Sequence, residues 1–473
     1  MTPTKSTPIP DTSRSTGRTN TEQVPMATSF GEYYQRATHG LGVLAVSLLA
    51  LGVAPSSAAI SISYGLALLF LFATLPDFLR TLPRRPALIG LVVVTVSVGL
   101  LAAFHTADHH NLPADDSGPW HHLRYMGLLT ILFGWAIYVT GMRIRTILVL
   151  ALIGLLIALA REWGSMTWAE ITRGSRLYGL RGPLEFGQFG ATALLASALL
   201  GPQLVLRAWN VRHGRLGYTK LVAGAVLVGG LIAASAWMWV ASGSRSAWLA
   251  ILITAACLGL VAAITLWKRS ERRYVGPSVI ALVLVGVFFV GWLGYGEMQH
   301  RWERDIERMQ DLAQQDWDSM PSGSFEVRAH LYVEAAQLIS ERPLLGWGPE
   351  AVVPLIERAE DDGRMNPGRD HFHNTYLHLA VGVGLPLMLG WLAFNAAAFR
   401  GAVLYHLTPG RDPGAALFFA GWGVFFVVVS LFDLRLHSTH GAALLALMSG
   451  LALAAYLQWL RERDTMSDRS EAA

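Results

Sequence analysis

Three histidines, His371, His373 and His378, fall within the stretch GRDHFHNTYLHLAVGVGLPLMLGWL, residues 368 to 392, where a polar approach gives way to a long apolar run. An imidazole titrates near pH 6.5, so its neutral form is available to take a proton from a hydroxyl that attacks an activated centre. His373 stands at the edge of the run, His378 about one turn inside it, and His371 in the approach. Any one of them alone would read as an interfacial histidine. Together they need a counterpart, and the arginines supply it. Arg245 lies in the tight connection SGSRSAW, Arg328 opens RAHLYVEAAQLISER, and Arg176 and Arg181 precede Glu185 and Gln188 in GSRLYGLRGPLEFGQFG. A single arginine at such a turn often anchors the chain at a membrane interface. Several on one face make a site for an anionic group, and the guanidinium fork suits diphosphate oxygens. The chemistry implied is attack by a hydroxyl with a histidine as general base, while built-in positive charge stabilises a departing diphosphate. No divalent cation and no other cofactor is required by that scheme.

The elements that must position these groups are membrane spans. The chain has 473 residues, 53% of them hydrophobic and 15% charged, with a mean hydropathy of +0.40. Its apolar residues recur in runs near the length that crosses a bilayer core, and backbone groups in lipid must be satisfied within each segment. The fold class expected is therefore an all-α polytopic membrane protein. Twelve transmembrane helices are predicted, at about 39–54, 58–75, 86–104, 123–141, 144–160, 184–206, 220–240, 247–267, 274–295, 374–398, 414–432 and 438–459. Residues 1–25 are rich in Ser, Thr and Pro and are expected to be disordered within a cytoplasmic N-terminus over 1–37. The first nine helices then occupy 38–295, a large loop 296–372, the last three helices 373–460, and a tail 461–473. A sequence pI near 9.2 does not point to nucleic acid, because the basic residues sit in short connections between spans. The single cysteine, Cys257, falls inside an apolar run and excludes an intrachain disulfide.

Orientation follows from those basic connections. With the N-terminus inside, every predicted inside loop carries Lys or Arg, including Arg80, Arg84 and Arg85, then Arg143 and Arg145, and later Arg400 and Arg411. The long loop then falls outside, and Glu297 to Asp370 holds 16 acidic and 8 basic residues, a net charge of −8. Met298, Trp302, Ile306, Met309 and Leu312 predict a first amphipathic helix in it. A second is predicted through SFEVRAHLYVEAAQLISER, with Leu331, Tyr332, Ala335, Leu338 and Ile339 as its buried stripe, Arg328 on that same stripe, Pro343 as its stop, and Gly346 and Gly348 in the turn beyond. The connection HTADHHNLPADDSGPWHH, 105 to 122, is rich in possible metal ligands but has no familiar metal-site spacing, and reads as a solvated loop.

In order, SGSRSAWLA, RAHLYVEAAQLISERPLLGWGPE and HFHNTYLHLAVGVGLPLMLGW resemble three successive signatures of the O-antigen ligase superfamily: an arginine at a tight outer turn, an arginine-led helix closing in a Pro and Gly-x-Gly turn, and a His-Asn segment opening a span. The resemblance covers residues 180 to 395 or so. It implies a GT-C-like helical bundle with one large periplasmic helical loop, set in a bacterial inner membrane. It further implies that Arg245 and Arg328 hold the diphosphate of an undecaprenyl-linked glycan and that His373, in HNTYL, is catalytic, with His371 in HFHN as a rival for the role and Asn374 beside them. Arg176, Arg181, Glu185, Gln188 and Asn374 are expected to line the same substrate site. The donor implied is a glycan on undecaprenyl diphosphate, the acceptor a sugar hydroxyl of lipid A-core, and no metal is required. Two sister activities, O-antigen polymerase and protein O-oligosaccharyltransferase, share the layout. A secondary transporter is the reading from a different class; it predicts ionisable or broken-helix sites near the membrane midplane, whereas the ionisable residues here cluster at the outer mouth and the interiors of most spans are plain Leu, Val, Ala and Gly.

Overall fold

The structure is a computed structural model that describes residues 26–104, 124–163, 182–210, 215–269, 324–362, 370–434, 436 and 438–471. Among these residues all regular structure is helical: α1 (Met26–Gly52), α2 (Ser57–Ala73), α3 (Leu75–Thr81), α4 (Pro86–Phe104), α5 (Leu129–Thr140), α6 (Ile144–Trp163), α7 (Pro183–Asn210), α8 (Arg215–Ala241), α9 (Arg245–Arg269), α10 (Ser324–Glu341), α11 (Val352–Asp361), α12 (Thr375–Val383), α13 (Leu385–Leu407), α14 (Pro413–Ser430) and α15 (Thr439–Glu471). Among the described residues eight helices are long and apolar enough to cross a membrane, or nine when α2 and the Leu75–Arg84 segment, bent by 73° against it, count as one span. The chain is thus an all-α, multi-pass membrane protein. Eleven of the twelve expected spans coincide with described helices, the first of them within α1; the expected span at 274–295 and the amphipathic helix at 298–312 lie outside the described residues, as does the loop at 105–122.

Two boundaries differ from expectation. α1 starts at Met26, so the helical region reaches well before residue 38; Glu32 and Arg36, one turn apart, pair at 3.5 Å along it and support those turns. The expected span over 374–398 is divided at Gly384, which adopts φ +81. A Cβ there would lie 2.3 Å from the carbonyl oxygen of Leu344, so only glycine allows this approach. The backbone groups released by the break are taken up by the turn after α10: Trp347 N–H donates to Val381 O at 2.8 Å, Gly348 N–H to Gly382 O at 3.0 Å, and Leu385 N–H to Pro343 O at 2.9 Å. Broken helices survive at membrane depth only with such replacement partners. α12 is thereby a separate short helix welded to the large loop, and the membrane span proper is α13.

Two cores follow from this arrangement. The larger joins the spans, with α15 the most enclosed of those with full span length, packed against α5 and α13. The smaller gathers Val327, Leu331, Ala335 and Leu338 of α10, Val352, Leu355, Ile356 and Ala359 of α11, and Phe372 and Val381. Leu331, Ala335 and Leu338 are buried as the helical stripe predicts, while Tyr332 and Ile339 are half-buried at its edge. Cys257 is exposed on the surface of its helix rather than packed between helices.

Ion pairs mark one end of the bundle. Arg85 meets Asp464 at 2.8 Å, Arg145 binds Asp412, and Arg411 binds Glu462. The connections predicted to share the inner face are thus tied to one another. At the opposite end, His440 at the start of α15 bonds Val53 O at 2.8 Å and lies 3.3 Å from Ser57 Oγ, which fixes α15 to the turn between α1 and α2.

Candidate active site

The His-x-His segment is placed by the residue between its histidines. Phe372 is fully buried in the smaller core, which anchors the backbone and leaves His371 and His373 side by side with ring centroids 4.1 Å apart. His373 adopts φ +49, the one left-handed non-glycine residue among those described. Such a conformation costs of order 1 kcal/mol or more in a non-glycine residue and persists only where the surroundings enforce it. Here they are well defined. Immediately after His373, Asn374 caps α12, its Oδ1 accepting from Tyr376 N–H at 2.9 Å and Leu377 N–H at 3.1 Å. The side-chain oxygen expected to meet substrate is committed to that cap, which makes Asn374 a residue that sets the direction of the histidine before it.

Three hydroxyls then clasp this segment to the end of α14. Tyr332 donates to Leu431 O at 2.9 Å and lies 3.4 Å from His373 O; Thr375 donates to Asp433 O at 2.8 Å; Tyr376 donates to Val427 O at 2.9 Å. The result is to bring Asp433, in the short turn between α14 and α15, against both histidines. Its side chain is 7% exposed, with Oδ1 3.4 Å from His371 Nε2 and 3.7 Å from His373 Nδ1. The other nitrogen of His371, Nδ1, contacts Asp370 Oδ1 at 2.5 Å. His378 is not part of this group; it is buried and packs edge-on to Phe372, with centroids 6.3 Å apart.

The two histidines are driven in opposite directions. Burial disfavours the charged form of His371, but hydrogen bonds to Asp370 and Asp433 outweigh it and push its pKa up to about 9. Burial holds His373 below its ordinary value; Asp433 pulls it upward, and the charges of His371 and Arg328 oppose that pull. Near neutral pH the pair therefore consists of an imidazolium, His371, and a neutral imidazole, His373. Divergent neighbours of this kind mark acid and base roles. The charge of Arg328 acts on both Tyr332 and His373, so the arginine on the α10 stripe lies within electrostatic range of the histidine. His371, His373 and Asp433 also offer three ligand atoms within 4.8 Å of one another, close enough to hold a cation.

Arg245 is exposed and begins α9, after a turn through Gly243 at φ +57. Its height in the bundle follows from helix directions. α7 runs antiparallel to α14, since Gly414 meets Leu199 while Trp422 Nε1 donates to Thr192 Oγ1 at 3.2 Å. α7 and α8 are antiparallel through the close approaches of Gly190 to Met238 and Trp239 and of Gly201 to Val228, and the tight turn reverses the chain again into α9. The start of α9, the start of α7 and the end of α14 thus share one end of the molecule. Arg245, Glu185, Gln188 and Asp433 lie at that end. Arg176 and Arg181 lie outside the described residues.

Asp433 is the member that sequence reasoning did not find. It is the one acid in the eight-residue connection between α14 and α15, and only its burial distinguishes it.

Comparison with known proteins agrees with the segment order. Residues 230–392 match the family model Wzy_C, O-antigen ligase. The match runs from within α8 into α13 and includes Arg245, Arg328, His371, His373 and Asn374, while Glu185, Gln188 and Asp433 lie beyond it. No curated protein matches the chain. Residues 230–392, with their arginine turn, arginine-led helix and His-Asn segment in order, thus form a domain that matches the O-antigen ligase family.

Proposed function

We propose that this protein transfers a glycan from undecaprenyl diphosphate to a sugar hydroxyl of lipid A-core, at the periplasmic face of a bacterial inner membrane, within a GT-C-like bundle. The observation that carries the reading is the His373, His371 and Asp433 group within the electrostatic reach of Arg328, together with the O-antigen ligase domain match. Neutral His373 accepts the proton of the acceptor hydroxyl as its oxygen bonds to the anomeric carbon. The bond from that carbon to the diphosphate oxygen breaks, and undecaprenyl diphosphate leaves with the electron pair. Arg245 and Arg328 hold the diphosphate and take up its growing charge, a task for which positioned guanidinium groups are suited. Burial keeps His373 unprotonated, and His371, charged and held by two carboxylates, adds a positive neighbour that works in the same direction. Positive charge fixed in the protein does the work that a metal would otherwise do.

The ionisable side chains described gather at the two ends of the bundle, an arrangement that favours chemistry at one face over passage through the middle. Within the superfamily, a deletion strain separates the activities. Loss of the ligase removes both short and long O-antigen from lipid A-core. A strain that keeps a single-repeat band would instead identify a polymerase, and an unchanged banding pattern would refute both.

A further inference from the structure

Near the candidate site, the first two turns of α7 hold two polar groups that have no partners among the described residues. Gln188 is 1% exposed and its Nε2 makes no hydrogen bond; Glu185 Oε2 is likewise buried and unbonded. An unsatisfied buried amide or carboxylate is costly, so such groups point to a missing ligand. Glu185, Gln188, Thr192 and Leu199 follow one another at helical spacing on one face of α7. Thr192 bonds Trp422 of α14 and Leu199 meets Gly414 and Gly421, so this face looks onto α14. With α14 antiparallel and a rise of about 1.5 Å per residue, Gln188 comes level with Phe426 and Glu185 with Val429, one turn short of Asp433. On the neighbouring side, the position of a Cβ at Gly187 would be 2.7 Å from Ser242 Oγ and 3.1 Å from Ser244 Cβ, so the same turn abuts the connection that carries Arg245. The two orphaned groups thus lie at the same end of the bundle as the candidate diphosphate arginine and the candidate base.

We propose that Glu185 and Gln188 form a sugar-binding subsite that takes ring hydroxyls of the sugar joined directly to the donor's diphosphate. This inference rests on the glycan-transfer reading above and refines it. A carboxylate repels phosphate but accepts from hydroxyls, and an amide N–H donates to a hydroxyl oxygen; this acceptor and donor pair, one turn apart, fits a neutral polyol. It gives both residues, expected to line the substrate site, a role distinct from that of the arginines that serve the anionic group.

The test compares two ligands on purified protein in lipid nanodiscs: bare undecaprenyl diphosphate, and undecaprenyl diphosphate-linked glycan extracted from the cells that make this protein. The wild type should bind the glycan-bearing lipid more tightly than the bare one. In Gln188→Leu that preference should fall by about 3- to 10-fold, the range of one or two hydrogen bonds, and in Glu185→Gln by a similar factor, while affinity for bare undecaprenyl diphosphate stays unchanged. The melting temperature of Gln188→Leu without ligand should hold or rise, because the substitution removes an unsatisfied amide. A lower melting temperature with equal loss for both lipids would make Gln188 structural and overturn the subsite. Equal wild-type affinity for the two lipids would overturn it too, as would an unchanged donor preference with a raised acceptor KM. Failure of the wild type to bind bare undecaprenyl diphosphate would reject the donor reading itself.

Discussion

The opposed titration of the two histidines predicts a pH profile for transfer. Because His373 must be neutral, the rate should rise with pH through a value below 6.5, and because His371 must be charged to balance Asp433 it should fall again near pH 9. For His371 the distance from 6.5 to about 9 corresponds to roughly 3 kcal/mol of preference for the charged ring in the folded protein. Since the folded value lies above that of an unfolded histidine, this stabilisation is complete below pH 6.5 and is lost as pH rises through about 9. Two carboxylates share the effect against the opposing burial. Asp433→Asn removes one of them and keeps the shape, so the alkaline limb should move down by about one pH unit or more, while Asp370 keeps it above the reference value of about 6.5. The assay is single-turnover transfer by purified protein from labelled lipid-linked donor, from about pH 5 to about pH 10. An alkaline limb that stays in place in Asp433→Asn, or a wild-type rate still rising beyond pH 9, would refute the assignment of His371 as the imidazolium.

Other consequences follow from the same geometry. Arg245→Lys and Arg328→Lys keep charge but lose the bidentate fork, and each should lower transfer about tenfold or more with the protein still folded in detergent, whereas interface anchors would tolerate Lys with near-normal rates. Phe372→Ala opens a cavity in the fully buried centre of the smaller core; it should destabilise that core by about 3 to 5 kcal/mol and release the α10 to α12 region to limited proteolysis before the spans unfold, and resistance equal to wild type would contradict the anchoring role. Gln337, exposed on α10, replaced by Cys in a Cys257→Ala background, should react with an impermeant thiol reagent in intact spheroplasts; labelling only after membrane disruption would reverse the orientation.

What could be read along the chain was what repeats locally. The α10 stripe, its stop before Pro343 and the glycine turn beyond it emerged as expected, because three- and four-residue spacing and backbone-breaking residues act within a few turns. The pairing of His371 with His373 was equally local. The exclusion of His378 was not, since it depends on the side of α12 that faces Phe372. Asp433 was missed for a related reason. Its place against the histidines comes from Tyr332, Thr375 and Tyr376 reaching across to the end of α14, and hydrogen bonds between residues so far apart in sequence leave no periodic trace. Hydropathy gave the apolar runs but not where they break. The 73° bend between α2 and Leu75–Arg84 and the interruption at Gly384 are set by Pro76 and by a carbonyl from the large loop, both invisible to an average over a window.

The central claim is that His373 deprotonates a sugar hydroxyl during transfer from a lipid diphosphate. It is tested most directly by reconstituting purified protein with undecaprenyl diphosphate-linked glycan and lipid A-core and following both products by mass spectrometry. The wild type should form glycan-bearing lipid A-core together with an equal amount of free undecaprenyl diphosphate, and His373→Ala, folded and still able to bind donor, should be slower by about 10²- to 10⁴-fold. A His373→Ala protein that transfers at the wild-type rate, or a folded wild type that releases no undecaprenyl diphosphate, would contradict the account.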